Sequence, residues 1–499
     1  MGKKGFTTDF FEQLEQALKQ IDLLSNKITV IETEHKIEIK KIKAKHKKEI
    51  ELIKEELKEV KNENGILKVE NQQLKLEIDR LKNQINKDSS NSSKPTSTNG
   101  FKKIVNNREK SNCKKGAQKG HVGKTLSPKY IEKLIETGKI DEVRTIEIGK
   151  TENNKNMKPI VKYTYDLEIK RIVTKTLYYH NKEINVPRGK PVSYGTNIKT
   201  LACLLNANYL SYDGIAGVFK HLTGNTINVS KASLLSWNNI LSNNLNPQME
   251  NIKIKLLNSL VLNVDESPIK IDGDQYYIHT VSNGLYTLQY VTKHRSKDDI
   301  DTFGFLDKYK GIIVHDHYTL YYNYGTDNAE CNVHVLRYLN GVTEFTKHDW
   351  AKELKELLLE MKNRKEDLIS QDKNKMTRIE FNEFRDKYLN ILKKGKQERL
   401  EDLKSNAYKD EELRLLKRLI KYEHNHLLFL NNFIVPFSNN RAESDLRKIK
   451  IKQKIGKFRS EMGADIYANI RSCASTYSKN NINLFDAFNG ALTNNTIII

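Results

Sequence analysis

The chain has 499 residues, enough for two to four domains and at least one sizeable core. Its 85 Lys and Arg against 63 Asp and Glu leave a formal net charge of +22. That excess favours an anionic partner, nucleic acid or a membrane surface, although a Lys-, Asn- and Ile-rich proteome would raise it too. The four cysteines are far apart and form no Cys-x-x-Cys, which excludes a disulfide framework and an obvious zinc ribbon. The N-terminus has no apolar leader, and no run reaches about 18 apolar residues. The expectation is a soluble, cytoplasmic protein with no membrane partner.

Residues 1–88 contain no proline and are dense in Lys, Glu, Leu and Ile. From Ile50 the apolar spacing alternates three and four through Ile53, Leu57, Val60, Leu67, Leu74, Ile78, Leu81 and Ile85. Asn64 and Asn71 fill the two missing seam positions. Such heptads predict a coiled coil, and Asn at the seam sets register, usually in a parallel dimer. Residues 89–130 are rich in Ser, Asn, Gly and Lys and read as a linker. Within it "GAQKGHVGKT", carrying Lys119 and Lys124, is suited to a phosphate backbone, and equally to plain linker.

Residues 131–190 alternate polar and apolar, as in "VKYTYDLEIKRIVTKTLYYH", which predicts a small antiparallel sheet domain. Residues 191–250 predict short helices with a Gly-containing turn and a cap at Ser230. That is the pattern of a helix-turn-helix and also of an ordinary helical bundle. From 251 to 348 the order is strand ("LVLNVDES"), hairpin around Asn283-Gly284, helix and strand ("GIIVHDHY"). Residues 349–430 are helical, and 431–499 open on a basic helix, "NNRAESDLRKIKIKQKIGKFRS".

Two strand ends thus carry Asp265 and Asp316, and a late helix carries Glu443. This order is that of a ribonuclease-H-like α/β core, in which the first and fourth strands are neighbours. Three converging carboxylates cannot all stay ionised without a cation between them. Mg²⁺ takes oxygen ligands and bridges phosphate. Two such ions about 3.5–4 Å apart activate a water or hydroxyl and steady the leaving oxygen. Arg447, Lys450 and Lys454 follow Glu443 at helical spacing, with Arg459 beyond, and offer positive charge to DNA phosphates. Asp445 is expected to point away into solvent.

These segments together resemble the IS66-type bacterial insertion-sequence transposases. The resemblance rests on the coiled coil, "SSNSSKP", "GAQKGHVGKTL", "VDESPIKI", "YKGIIVHDHYTLYYNY", "AECNVHVLRYL" and "NNRAESDLRKIKIKQKIGKFRSEMGADIYANIRSCAST". It implies a multidomain α+β protein with a DDE catalytic core interrupted by a helical insertion. Asp265, Asp316 and Glu443 would be both catalytic triad and metal ligands, using Mg²⁺ or Mn²⁺, two ions. The implied reaction is cleavage at the element's terminal inverted repeats and strand transfer into target DNA. A homodimer through the coiled coil is the implied assembly, on the nucleoid; family members are often encoded beside small accessory proteins. Cys331 and His334 match the family's Cys-x-x-His and are expected to pack beside the site. The family's Cys-x-x-Cys segment is replaced by cysteine-free "GKTENNKNMKPIVKY", so no zinc is expected. The competing readings are an inactive or repurposed DNA-binding coiled-coil derivative and a nuclease of the same fold that cannot join strands.

Overall fold

The structure is a computed structural model and describes residues 6–87, 91, 127–148, 160–166, 169–177, 192–402 and 408–499. Contacts divide the chain into two compact units. The first is built on α1 (Phe6–Asn86), one uninterrupted helix. It includes the stretch before Ile50 where the heptads are less regular. The seam residues Ile50, Ile53, Leu57, Leu74 and Ile78 are exposed on the single chain.

The second unit, Lys87–Leu403 with Asp410–Ile499, holds the other elements. Helix α2 (Pro128–Glu136) starts where the Ser127 hydroxyl accepts the Tyr130 N–H and Pro128 takes a first-turn position. The small sheet expected over 131–190 is not seen among the described residues, which carry α2 and then no strand up to residue 177. The alternating side chains there, Ile146, Ile148, Ile160 and Val173, are exposed. Period two makes a strand only where a neighbour completes the ladder and something covers the apolar face. Lys119, Lys124 and most of the linker lie outside the described residues.

Four helices follow: α3 (Thr196–Ala207), α4 (Tyr212–Leu222), α5 (Lys231–Asn244) and α6 (Asn246–Leu257). They pack as a bundle and not as a separate module. Cys203, Phe219, Trp237 and Ile252 from them share one core with Leu262, Val264 and Leu288 of the sheet.

The sheet has strands β1 (Val261–Ile271), β2 (Asp274–Ser282), β3 (Thr287–Thr292), β4 (Ile312–His315) and β5 (Asp327–Glu330), in the order β3-β2-β1-β4-β5. β1, β2 and β3 are antiparallel, while β4 and β5 run parallel to β1. Helix α7 (Lys297–Phe303) makes the crossover from β3 to β4. The hairpin, the helix and the β1–β4 neighbourhood agree with the expectation from sequence; β5 was not foreseen, because "DNAE" is too short and polar to read as a strand.

After β5 come α8 (Asn332–Thr346), α9 (Asp349–Ser370), α10 (Arg378–Glu401), α11 (Lys409–Lys421) and α12 (Glu423–Asn431). The chain then returns to the sheet with α13 (Asn440–Ile455), α14 (Glu461–Lys479) and α15 (Leu484–Leu492). Leu446 and Ile449 of α13 pack on Ile269, Ile271 and Ile278. Lys452 also lies on the buried face of α13, its Nζ 5.7 Å from the centre of the Tyr467 ring.

Candidate active site

The strand ladders on the two edges of β1 overlap at Asn263 alone. Its parallel ladder with β4 ends at Asn263–Val314, whereas its antiparallel ladder with β2 continues to Ile271. β4 stops at His315, so between Asn263 and the isolated parallel bridge of Ile271 to Phe458 no strand pairs the edge of β1 facing β4. Asp265 lies at this opening, within β1 and not at its end as the sequence suggested. The strand persists because β2 still holds it. Asp316 is the first residue past β4, where its Oδ1 accepts the Tyr318 N–H at 3.1 Å.

Glu443 is delivered by the first turn of α13. A buried amide clasp sets where that helix begins. Asn439 Nδ2 donates to the Val264 carbonyl at 2.7 Å, and Asn263 Nδ2 donates to Asn439 Oδ1 at 2.9 Å. The clasp ties the start of α13 to Asn263 and Val264, the two residues before Asp265. Neither Asn263 nor Asn439 was singled out from sequence; the only signal was an Asn at a helix start.

The result is a concentration of negative charge. Burial pushes the Asp265 carboxyl well above the usual range, and the charges of Asp316, Glu266 and Glu443 push it further, against the pull of Lys450. Glu266 is raised to about 7, first by burial and then by Asp316. It is partly restrained by the Tyr321 hydroxyl at 2.7 Å and by Arg295 Nη1 at 3.1 Å. The Arg295 guanidinium lies 4.3 Å from the centre of the Tyr318 ring and stays half exposed at the rim. Hard oxygen donors gathered around a buried carboxylate suit a cation that prefers oxygen, such as Mg²⁺.

The Asp316 loop has its own anchor. His317 Nδ1 lies 2.7 Å from Glu330 Oε1, and Arg418 of α11 donates its Nε to Glu330 Oε2 at 2.8 Å. Tyr322 donates to the same carboxylate, and His426 Nε2 stands 3.5 Å away. Burial would raise Glu330, but its contacts with His426, the hydrogen bond from His317 and the Arg418 guanidinium hold it far below the ordinary range. This buried carboxylate joins β5, the helical insertion and the loop carrying Asp316. The sequence alone did not reveal it, since its partners lie 8 to 96 positions away.

Among the basic residues, Arg447, Lys450, Lys454 and Arg459 are all exposed. Asp445, expected in solvent, is 4% exposed. It accepts from Thr287 Oγ1 at 2.9 Å and from Lys479 Nζ at 2.8 Å. Three residues after Ala442 and four before Ile449, it falls on the sheet-facing side of α13.

Cys331 and His334 lie beside Glu443. His334 Nδ1 is 3.9 Å from Glu443 Oε1, and donor atoms of all three lie within 4.8 Å of one another. Burial lowers the His334 imidazole, with Glu443 opposing. Burial also pushes the Cys331 thiol up to about 12, as does the Glu443 charge, against the backbone N–H groups of Asn439, His334 and Val333.

No helix among the described residues is long and apolar enough to cross a membrane. No curated protein matches the chain. A family of unknown function matches residues 29–127. The Transposase IS66 family matches residues 194–466, more than half of the 499, including every carboxylate described above.

Proposed function

Because the chain belongs to the IS66 family of transposases, we propose that it cuts DNA at the ends of an insertion sequence and joins the freed 3′ ends to target DNA. Asp265, Asp316 and Glu443 are the triad of that proposal. The observation that carries it is the raised proton affinity of Asp265 in the company of Asp316 and Glu443. The strand order supports reading the core as ribonuclease-H-like.

In this mechanism the three carboxylates hold Mg²⁺ or Mn²⁺, two ions. Such ions, when bound, would activate a water for cleavage or the 3′-hydroxyl of the cut DNA for joining, and would neutralise charge on the leaving oxygen. The Asn263–Asn439 clasp keeps Glu443 in register with Asp265. Glu330 and His317 steady the loop of Asp316. Arg295, Arg447, Lys450, Lys454 and Arg459 meet backbone phosphates, which positions the duplex without reading its sequence. Lys450, whose charge lowers Asp265, is the basic residue that this proposal sets beside the reacting phosphate. Lys119 and Lys124 join the phosphate contacts of the linker. α1 pairs with α1 of a second copy, so that two sites serve two element ends; sedimentation of residues 6–86 as a monomer at high micromolar concentration would remove this pairing.

The test of the triad is a set of isosteric variants. Asp265→Asn, Asp316→Asn and Glu443→Gln are each expected to abolish Mg²⁺-dependent cleavage of element-end DNA while binding it nearly as before. Full cleavage by any one would remove that residue from the triad. Cleavage without joining would recast the wild-type chain as a nuclease.

A further inference from the structure

We infer that Cys331, His334 and Glu443 form a site for a borderline-soft divalent cation such as Zn²⁺, next to the carboxylate centre and sharing Glu443 with it. Cys331 caps α8 and His334 is three residues on, so both side chains leave one face of its first turn. Glu443 arrives from the first turn of α13. All three donor atoms lie within 4.8 Å of one another.

Two of these atoms have nothing to bond to. His334 Nδ1 and Glu443 Oε1 are buried and lack any hydrogen-bond partner in the protein. Buried polar side-chain atoms without partners call for an explanation, and an ion is one. Their separation, 3.9 Å, is too long for a direct hydrogen bond. Two nitrogen or oxygen ligands of one tetrahedral zinc, each about 2.0–2.1 Å from the metal, stand about 3.3–3.4 Å apart, so the pair needs to close by only about half an ångström to share an ion.

Surrounding bonds favour the same reading. The Asn439 N–H donates to Cys331 Sγ at 3.1 Å, the kind of outer contact that supports a metal thiolate. Asn332 N–H donates to the Phe437 carbonyl at 3.1 Å, which locks the start of α8 to the approach of α13. The three donors are therefore brought in by segments tied to each other. A sulfur and an imidazole select against Mg²⁺ and for zinc. Three protein donors leave one position for water. A carboxylate has two oxygens and about four lone-pair sites, so Glu443 can serve both centres. The Cys-x-x-His pair alone suggested packing, because its third donor lies 109 residues further on.

The experiment uses the full chain, stripped with a chelator and dialysed against Zn²⁺, or against Co²⁺ as a spectroscopic substitute. One zinc per chain is expected, with a rise in melting temperature. Cys331→Ser and His334→Ala are each expected to weaken binding at least about tenfold. Cys331→Ser should also lose the thiolate-to-cobalt charge-transfer band. Asp265→Asn should keep both zinc and band. Far-UV circular dichroism checks that the variants fold, and His334→Gln, closer in size, replaces His334→Ala if that variant does not. No uptake by the wild type, or undiminished uptake by the Cys331 and His334 variants, overturns the site. Loss of zinc in Asp265→Asn overturns it too, by moving the ion to the carboxylate centre. None of these results alters whether Asp265 is needed for Mg²⁺-dependent cleavage, so the two readings fail separately.

Discussion

Glu443 and Asp445 stand two residues apart on α13 and meet different surroundings. Glu443 has a buried oxygen with no donor, whereas Asp445 is held by Thr287 and Lys479. Asp445→Asn keeps the shape but removes the charge opposite Lys479, leaving that ammonium partly buried. It should cost about 1–3 kcal/mol in denaturant unfolding. It should leave cleavage per folded molecule near wild type, and inactivation as complete as that of Glu443→Gln would make Asp445 a ligand instead. Lys450 is exposed, yet its charge reaches Asp265. If it meets a phosphate, Lys450→Ala should lower the slope of log affinity against log salt by about 0.9 on duplex DNA. An unchanged slope with an unchanged cleavage rate would leave Lys450 as surface charge. Neither residue's surroundings follow from spacing alone. Helical periodicity places Asp445 on the Ala442–Ile449 face, but only the sheet packed there shows that the face includes a partner for a carboxylate.

At the scale of elements, ladder length positions the site. β4 has four residues and β1 has eleven, so β1 outruns its neighbour and exposes Asp265 at the step. The helical insertion depends on one close approach. A Cβ at Gly395 of α10 would stand 2.7 Å from Cδ2 of Trp350 on α9 and 3.1 Å from Cδ2 of Leu416 on α11. Ala is ordinarily the better helix former by about 0.5–1 kcal/mol. Here overpacking against a buried indole should outweigh that gain, and Gly395→Ala should destabilise by about 1–3 kcal/mol in chemical unfolding. A stabilised variant would show that α9 and α10 are not in such close contact. α1 is the contrary case, a helix with an apolar seam that its own chain leaves exposed. In most helices the stability comes from packing such a face, which is why the seam points to a second copy.

At the scale of the whole molecule, buried histidines tie stability to pH. Burial lowers His279 from 6.5 to about 4, and His426 likewise to about 4. His279 stacks on Tyr290 with ring centres 4.9 Å apart, and its Nε2 lies 2.9 Å from Thr292 Oγ1. The unfolded chain binds these protons more readily than the folded one. The stabilisation is therefore complete above pH 6.5 and is lost as pH falls toward 4. Each histidine contributes on the order of 3 kcal/mol to that loss. The raised carboxyls of Asp265 and Glu266 act in the opposite sense over this range, so the check is a difference: the stability of the wild type relative to His279→Gln, from urea unfolding, should fall by about 3 kcal/mol from pH 7 to pH 4. A pH profile unchanged by that substitution would mean that His279 is not neutral in the folded protein.

Local pattern was enough for much of this molecule. Heptad spacing determined α1, the Asn-Gly turn and flanking alternation determined the β2–β3 hairpin, and capping residues with apolar periodicity determined the helices. Each of these depends on contacts between residues close in sequence or on a regular repeat. The three acids could be chosen for the same reason, since each sits where a strand or helix presents it. Tertiary structure alone decided the rest. The alternation over 131–190 looked like a sheet, but the described residues there form no strand. The Asn263–Asn439 clasp spans 176 positions, the Glu330–Arg418 pair spans 88, and Glu443 meets His334 across 109. Charge, burial and unmet hydrogen bonds at such places depend on which distant segments the fold brings together, and periodicity carries no information about that.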